Sequence, residues 1–93
     1  MRRVIVSAAA YADLIRLEDW LMERAPKAAA RLGPLLNAQM ASLADLAERG
    51  RAGPHPGQRE LVVRFGKGAY FIQYRVDDSQ VIIARIKHNL ERR

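Results

Sequence analysis

Arg59-Glu60-Leu61-Val62-Val63-Arg64-Phe65-Gly66-Lys67-Gly68-Ala69-Tyr70-Phe71-Ile72-Gln73-Tyr74-Arg75-Val76-Asp77-Asp78-Ser79-Gln80-Val81-Ile82-Ile83-Ala84-Arg85-Ile86-Lys87-His88 is the stretch whose reading decides the fold. In Glu60–Phe65 the side chains of Leu61, Val63 and Phe65 share one face. In Ala69–Val76, Tyr70, Ile72, Tyr74 and Val76 oppose Phe71, Gln73 and Arg75. Val81–Lys87 is β-branched and apolar until Arg85. Alternation with a period of two marks a strand with one buried side. Gly66-Lys67-Gly68 and Asp77-Asp78-Ser79 are turns short enough to require antiparallel neighbours, so the unit is a three-stranded meander.

Upstream, residues 49–58 (Arg-Gly-Arg-Ala-Gly-Pro-His-Pro-Gly-Gln) read as a loop. Ala8–Arg24 repeats Tyr11, Leu14, Ile15, Leu17, Trp20 and Leu21 mostly at three- and four-residue steps, predicting a helix capped by Ser7. A second helix is predicted from Pro26 to about Glu48, with Leu32, Leu35, Leu36, Met40, Leu43 and Ala47 as its apolar stripe. A kink or a restart is expected near residues 30–34, because Pro34 lies inside it. Tyr11 and Trp20 are expected in the core. Arg2–Val6 reads as a short leading strand. The predicted fold class is α+β in the order β-α-α-β-β-β: an antiparallel sheet with an N-terminal helical hairpin packed on one face, one domain over 1–93.

The composition narrows the function. With no cysteine, thiolate catalysis and disulfides are excluded, and no metal or cofactor site is expected. The longest uncharged stretch, Leu32–Ala44, has 13 residues and contains Asn37, Gln39 and Ser42. A bilayer span needs about 20 apolar residues, so a cytoplasmic protein without membrane contact is expected. The net charge is +6; residues 1–58 carry eight basic and six acidic side chains, residues 59–93 eight and four. Such an excess suits something acidic, whether nucleic acid, an acidic protein or a membrane surface, and the charge pattern alone does not choose between them.

Parity sorts these charges. If the helices cover the face bearing Leu61, Tyr70 and Ile82, then Arg64, Arg75, Arg85 and Lys87 point to the open face with Val62, Phe71, Val81 and Ile83. A basic face with apolar patches suits a partner that buries it. His88 is the one plausible general base, although a histidine near a strand end is more often a hydrogen-bonded packing residue. His55, between two prolines, is not read as catalytic. Asp77 and Asp78 read as turn formers, and Gly66-Lys67-Gly68 is too short for a phosphate-binding loop.

Arg59-Glu60-Leu61, the glycine-aromatic turn at Phe65–Tyr70, Tyr74-Arg75-Val76 and the closing strand into Lys87-His88 together resemble the C-terminal half of ParE-type toxins of the ParE/RelE superfamily. The leading strand, Ser7 and the alanine-rich hairpin are similar as well. The resemblance implies the toxin of a type II toxin–antitoxin (plasmid stabilization) pair. It would be neutralised by an acidic ParD-like antitoxin, would have DNA gyrase as its target, and would lack an active site or sequence-specific nucleic-acid binding. The contacts it implies for antitoxin or target are Arg64, Phe71, Arg75, Arg85, Lys87, His88, Arg92 and Arg93. RelE relatives instead cleave mRNA on the ribosome, and Arg64, Arg75, Arg85 and His88 superficially match their set. Here no tyrosine follows His88, and the long hairpin is closer to ParE, which favours the gyrase reading.

Overall fold

In a computed structural model, which describes residues 1–91, β1 (Arg3–Val6) leads into α1 (Ala8–Arg24) and α2 (Pro26–Ala41). Two 3₁₀ turns follow, Ser42–Ala44 and Ala47–Arg49, then β2 (Arg51–Ala52), β3 (Gln58–Phe65), β4 (Gly68–Val76), β5 (Gln80–His88) and a last 3₁₀ turn, Asn89–Glu91. The strands form one five-stranded sheet in the order β1-β5-β4-β3-β2. The meander is β3-β4-β5, as expected. Gly66 supplies its first turn with a positive φ of 59°, which glycine adopts without strain. The Asp77 carboxylate supplies the second by accepting the Ser79 and Gln80 N–H groups, both at 2.9 Å.

Two corrections concern the sheet. β1 pairs parallel with β5, Val4 beside Val81 and Ile5 beside Ile82, so the sheet is mixed and not antiparallel throughout. Most of the chain lies between these strands, far more than a parallel crossover needs. Within the stretch read as a loop, Arg51 and Ala52 pair antiparallel with Glu60 and Arg59. A strand of two residues is too short for alternation to reveal.

Ser7 caps α1 as expected: its hydroxyl accepts the Ala10 N–H (3.1 Å) and donates to the Ala84 carbonyl (3.0 Å). The helix is thereby fixed against β5 just past the end of β1. Pro26 opens α2, and the helix does not restart at Pro34; it is unbroken from Pro26 to Ala41. Ala30, whose carbonyl would have bonded residue 34, is exposed like Pro34 itself, so water can satisfy it. The helix nevertheless stops short of Glu48. The Ser42 hydroxyl donates to the Gln39 carbonyl (2.6 Å), and the Ala44 carbonyl accepts the Arg2 N–H (2.9 Å), drawing the chain into tight turns against the start of β1.

Leu14, Leu17, Leu32, Leu36, Met40 and Leu43 from the helical layer pack on Leu61, Val63, Tyr70, Ile72, Tyr74, Val81, Ile83 and Ile86 of the sheet. Tyr11, Ile15 and Trp20 are exposed, against expectation. The buried stripe of α1 is Ala10, Asp13, Leu14 and Leu17, narrower than its apolar residues suggest and including a carboxylate.

Candidate functional site

The sheet face away from the helices is covered by no other element among the described residues. Its side chains stand in rows across the strands, neighbours in a row being about 5 Å apart at Cβ. One row is Arg51, Glu60, Gln73 and Arg85. On one side of it lie Gln58, Arg75, Ile82 and Ile5; on the other lie Val62, Phe71 and Lys87, with Arg64 beyond, opposite Ala69.

The first row is internally compensated. Arg51 pairs with Glu60 (3.0 Å), which also accepts from Gln73 Nε2 (3.4 Å). Arg85 is held from the side. Its Nε and one terminal nitrogen donate to the two oxygens of Asp13, at 2.7 and 3.0 Å. Asp13 also accepts the Ile86 N–H (2.9 Å) and a bond from Arg16 (2.8 Å), while Arg16 forms an ion pair with Glu91 in the last turn. Asp13 is only 3% exposed. Burial alone would raise its carboxyl pKa. The donors from Arg85, Ile86 and Arg16 outweigh that and hold it well below the usual carboxylate range. Alternation could not reveal this role, since Asp13 looked like one of the polar residues between the apolar positions of α1.

Arg64, Arg75 and Lys87 form no ion pair among the described residues. From the row of Arg75 to the row of Arg64 is six residues along β4, roughly 20 Å at strand rise. Between them lie the row of Arg51, Glu60, Gln73 and Arg85 and then the apolar pair Val62 and Phe71, with Lys87 beside Phe71. At the Arg75 end the 53–57 loop walls an open cleft of about 980 Å³ lined by Arg51, His55, Gln58, Gln73 and Arg75.

Two assignments change. Val81 and Ile83 are fully buried under the helices instead of lying on the open face, and Ile82 takes their expected side. A bulge causes this. Gln73 pairs with Arg85 but Tyr74 with Ile83, leaving Ala84 as an additional residue that flips the parity of β5 midway. Arg85 and Lys87, beyond it, do reach the open face. His88, opposite Tyr70, does not; it lies on the helix side, its ring 4.9 Å from Tyr70 and 6.1 Å from Trp20. Its Nδ1 accepts the Leu90 N–H (3.2 Å), and burial lowers its pKa, with Glu91 acting in the opposite direction. Arg92 and Arg93 lie outside the described residues.

The topology thus presents one mixed basic and apolar sheet face, backed on its other side by the two helices. The sequence matches the family of ParE toxins of type II toxin–antitoxin systems (parDE) over residues 4–92. The chain belongs to that family. It is 50% identical to "Toxin RelE1" of Caulobacter vibrioides over 90 residues, 97% of this chain and 96% of the relative. "Toxin RelE3" of the same organism is 43% identical over 93 residues, the full length of both. Among solved structures, a chain of the chromosomal ParDE TA system from P. aeruginosa superposes with a TM-score of 0.78, covering 94% of this chain and 95% of that one, at 24% identity. That likeness supports the fold.

Proposed function

We propose that this type II toxin acts by binding, not by catalysis: it inhibits DNA gyrase through its open face and is neutralised by an acidic ParD-like antitoxin. The observation that carries this reading is the separation of the groups an RNase would need together. Arg85 is engaged by a buried carboxylate. His88 packs on the opposite face, five residues along β4 from the row of Arg75, roughly 17 Å at strand rise. His88, the base that the sequence offered, therefore does not stand beside Arg75 and Arg85, as proton transfer from a ribose hydroxyl through it would require.

The second reading, a ribosome-dependent mRNA endonuclease, is favoured by the names of the relatives and by Arg64 and Lys87 near Phe71, which form no ion pair among the described residues. One pair of assays decides. Purified protein is added to gyrase supercoiling reactions and to ribosomes programmed with mRNA. Loss of supercoiling with intact mRNA is expected; cut mRNA with unaffected gyrase would reverse the assignment.

A further inference from the structure

β3 is longer than the strand that covers it. Phe65 and Gly68 close a two-residue turn, so Phe65, Val63 and Leu61 bond across to β4 while Arg64, Val62, Glu60 and Gln58 turn their N–H and C=O groups outward. The register with the neighbouring chain agrees: Gly53 N–H donates to the Gln58 carbonyl (2.7 Å), and Glu60 pairs with Arg51. There the cover ends. Among the described residues nothing bonds the outward backbone groups of Val62 and Arg64. A sheet edge with two consecutive outward residues unpaired is a template for another strand.

We propose that this edge is a docking site for an extended segment of the antitoxin, which adds to β3 as a further strand; this rests on the antitoxin reading above. The side chains along the edge state what the segment must be. Val62 is 37% exposed, and Arg64 is exposed and forms no ion pair among the described residues, both on the open face. An added strand sets one side chain beside each of them, an apolar one at Val62 and a carboxylate at Arg64. A second copy of this chain does not fit. Pairing β3 with β3 would bring two unpaired Arg64 side chains to one patch of a chain whose net charge is already +6, and the one carboxylate of β3, Glu60, is bonded to Arg51.

The test uses the complex with the protein encoded by the adjoining gene, co-purified with this chain. Hydrogen exchange at the Val62 and Arg64 amides should slow at least about tenfold on complex formation, as for amides entering a stable ladder. Val62→Pro removes an outward N–H that β4 does not use, so the sheet should survive, as a thermal melt would show. Its affinity should fall about tenfold below that of Val62→Ala, the equivalent of one backbone hydrogen bond, since both variants lose the valine contact and only the proline loses the N–H. A complex that forms with unchanged exchange at both amides, or in which a folded Val62→Pro binds as tightly as Val62→Ala, overturns the edge proposal and leaves the antitoxin reading intact. Absence of any complex overturns both. Should Val62→Pro unfold, the exchange measurement on the unaltered chain decides alone.

Discussion

Asp13 shows how much one side chain can set. Its carboxylate answers two arginines and a strand N–H, joining α1, β5 and, through Arg16 and Glu91, the last turn. Asp13→Ala should destabilise the fold by roughly 1–3 kcal/mol, the cost of leaving the buried Ile86 N–H unsatisfied. Because the folded pKa is depressed, this stability is fully present above the ordinary carboxylate range of about 4 and is lost as pH falls through the folded value. Urea melts from pH 7 to pH 2 should therefore lose less stability for Asp13→Asn than for the parent; equal slopes would remove Asp13 from the acid response. His88 gives the opposite lesson. Its residue type suggested chemistry, and its neighbours give it packing. His88→Ala should reduce toxicity only in proportion to lost stability, as growth inhibition beside a thermal melt would reveal. A collapse of toxicity in a folded variant, against the 10²- to 10⁴-fold typical of lost acid–base help, would point to the RNase.

At the scale of elements, the meander, the leading strand and the two helices were legible, because turns and alternation are local properties, while the two-residue β2 was not. The β5 bulge was not. One additional residue, Ala84, reverses inside and outside for half a strand, and nothing in Val81–Lys87 marks it, since both parities are apolar up to Arg85. The extent of α2 failed for a related reason. Leucine spacing continues beyond Ala41, but the bonds that end the helix come from Ser42 and from Arg2, remote in sequence. Tyr74 secures the segment that follows, donating to the Ala47 carbonyl (2.7 Å) and accepting the Gly50 N–H (2.9 Å) in a buried setting. Tyr74→Phe should cost roughly 1–3 kcal/mol by leaving both groups unpaired, measured by denaturant melt. Leu43, fully buried under that segment, should cost roughly 2–5 kcal/mol when cut to alanine. Arg64→Ala, on the open face, should stay within about 0.5 kcal/mol. Equal losses for Leu43→Ala and Arg64→Ala would mean the faces are assigned the wrong way round.

For the whole molecule, what matters is where the charge excess comes to rest. Much of it is spent internally: Arg85 and Arg16 on Asp13, Arg51 on Glu60, Arg24 over the ring of Trp20. The composition revealed the net charge of +6 but could not say which cations remain unpaired, since pairing joins residues as far apart in sequence as Asp13 and Arg85. On the open face, Arg64, Arg75 and Lys87 form no ion pair among the described residues, with Phe71 beside Lys87 and between the rows of Arg64 and Arg75. Such an arrangement divides the labour of binding. Separated cations attract an acidic partner over distance, and the apolar pair Val62 and Phe71 in the middle holds it once water is expelled. Steering between opposite charges is screened beyond about 8–10 Å at physiological salt, whereas burial of Phe71 and Val62 is not. Raising salt should therefore slow association with the antitoxin markedly and change dissociation much less. Stopped-flow rates at low and high salt measure both. The Arg64→Ala and Lys87→Ala variants should show a shallower dependence of the association rate than the parent, while Phe71→Ala should act mainly on dissociation. An association rate indifferent to salt in the parent would leave the open cations without a part in recognition, and the apolar middle would have to account for the partner alone.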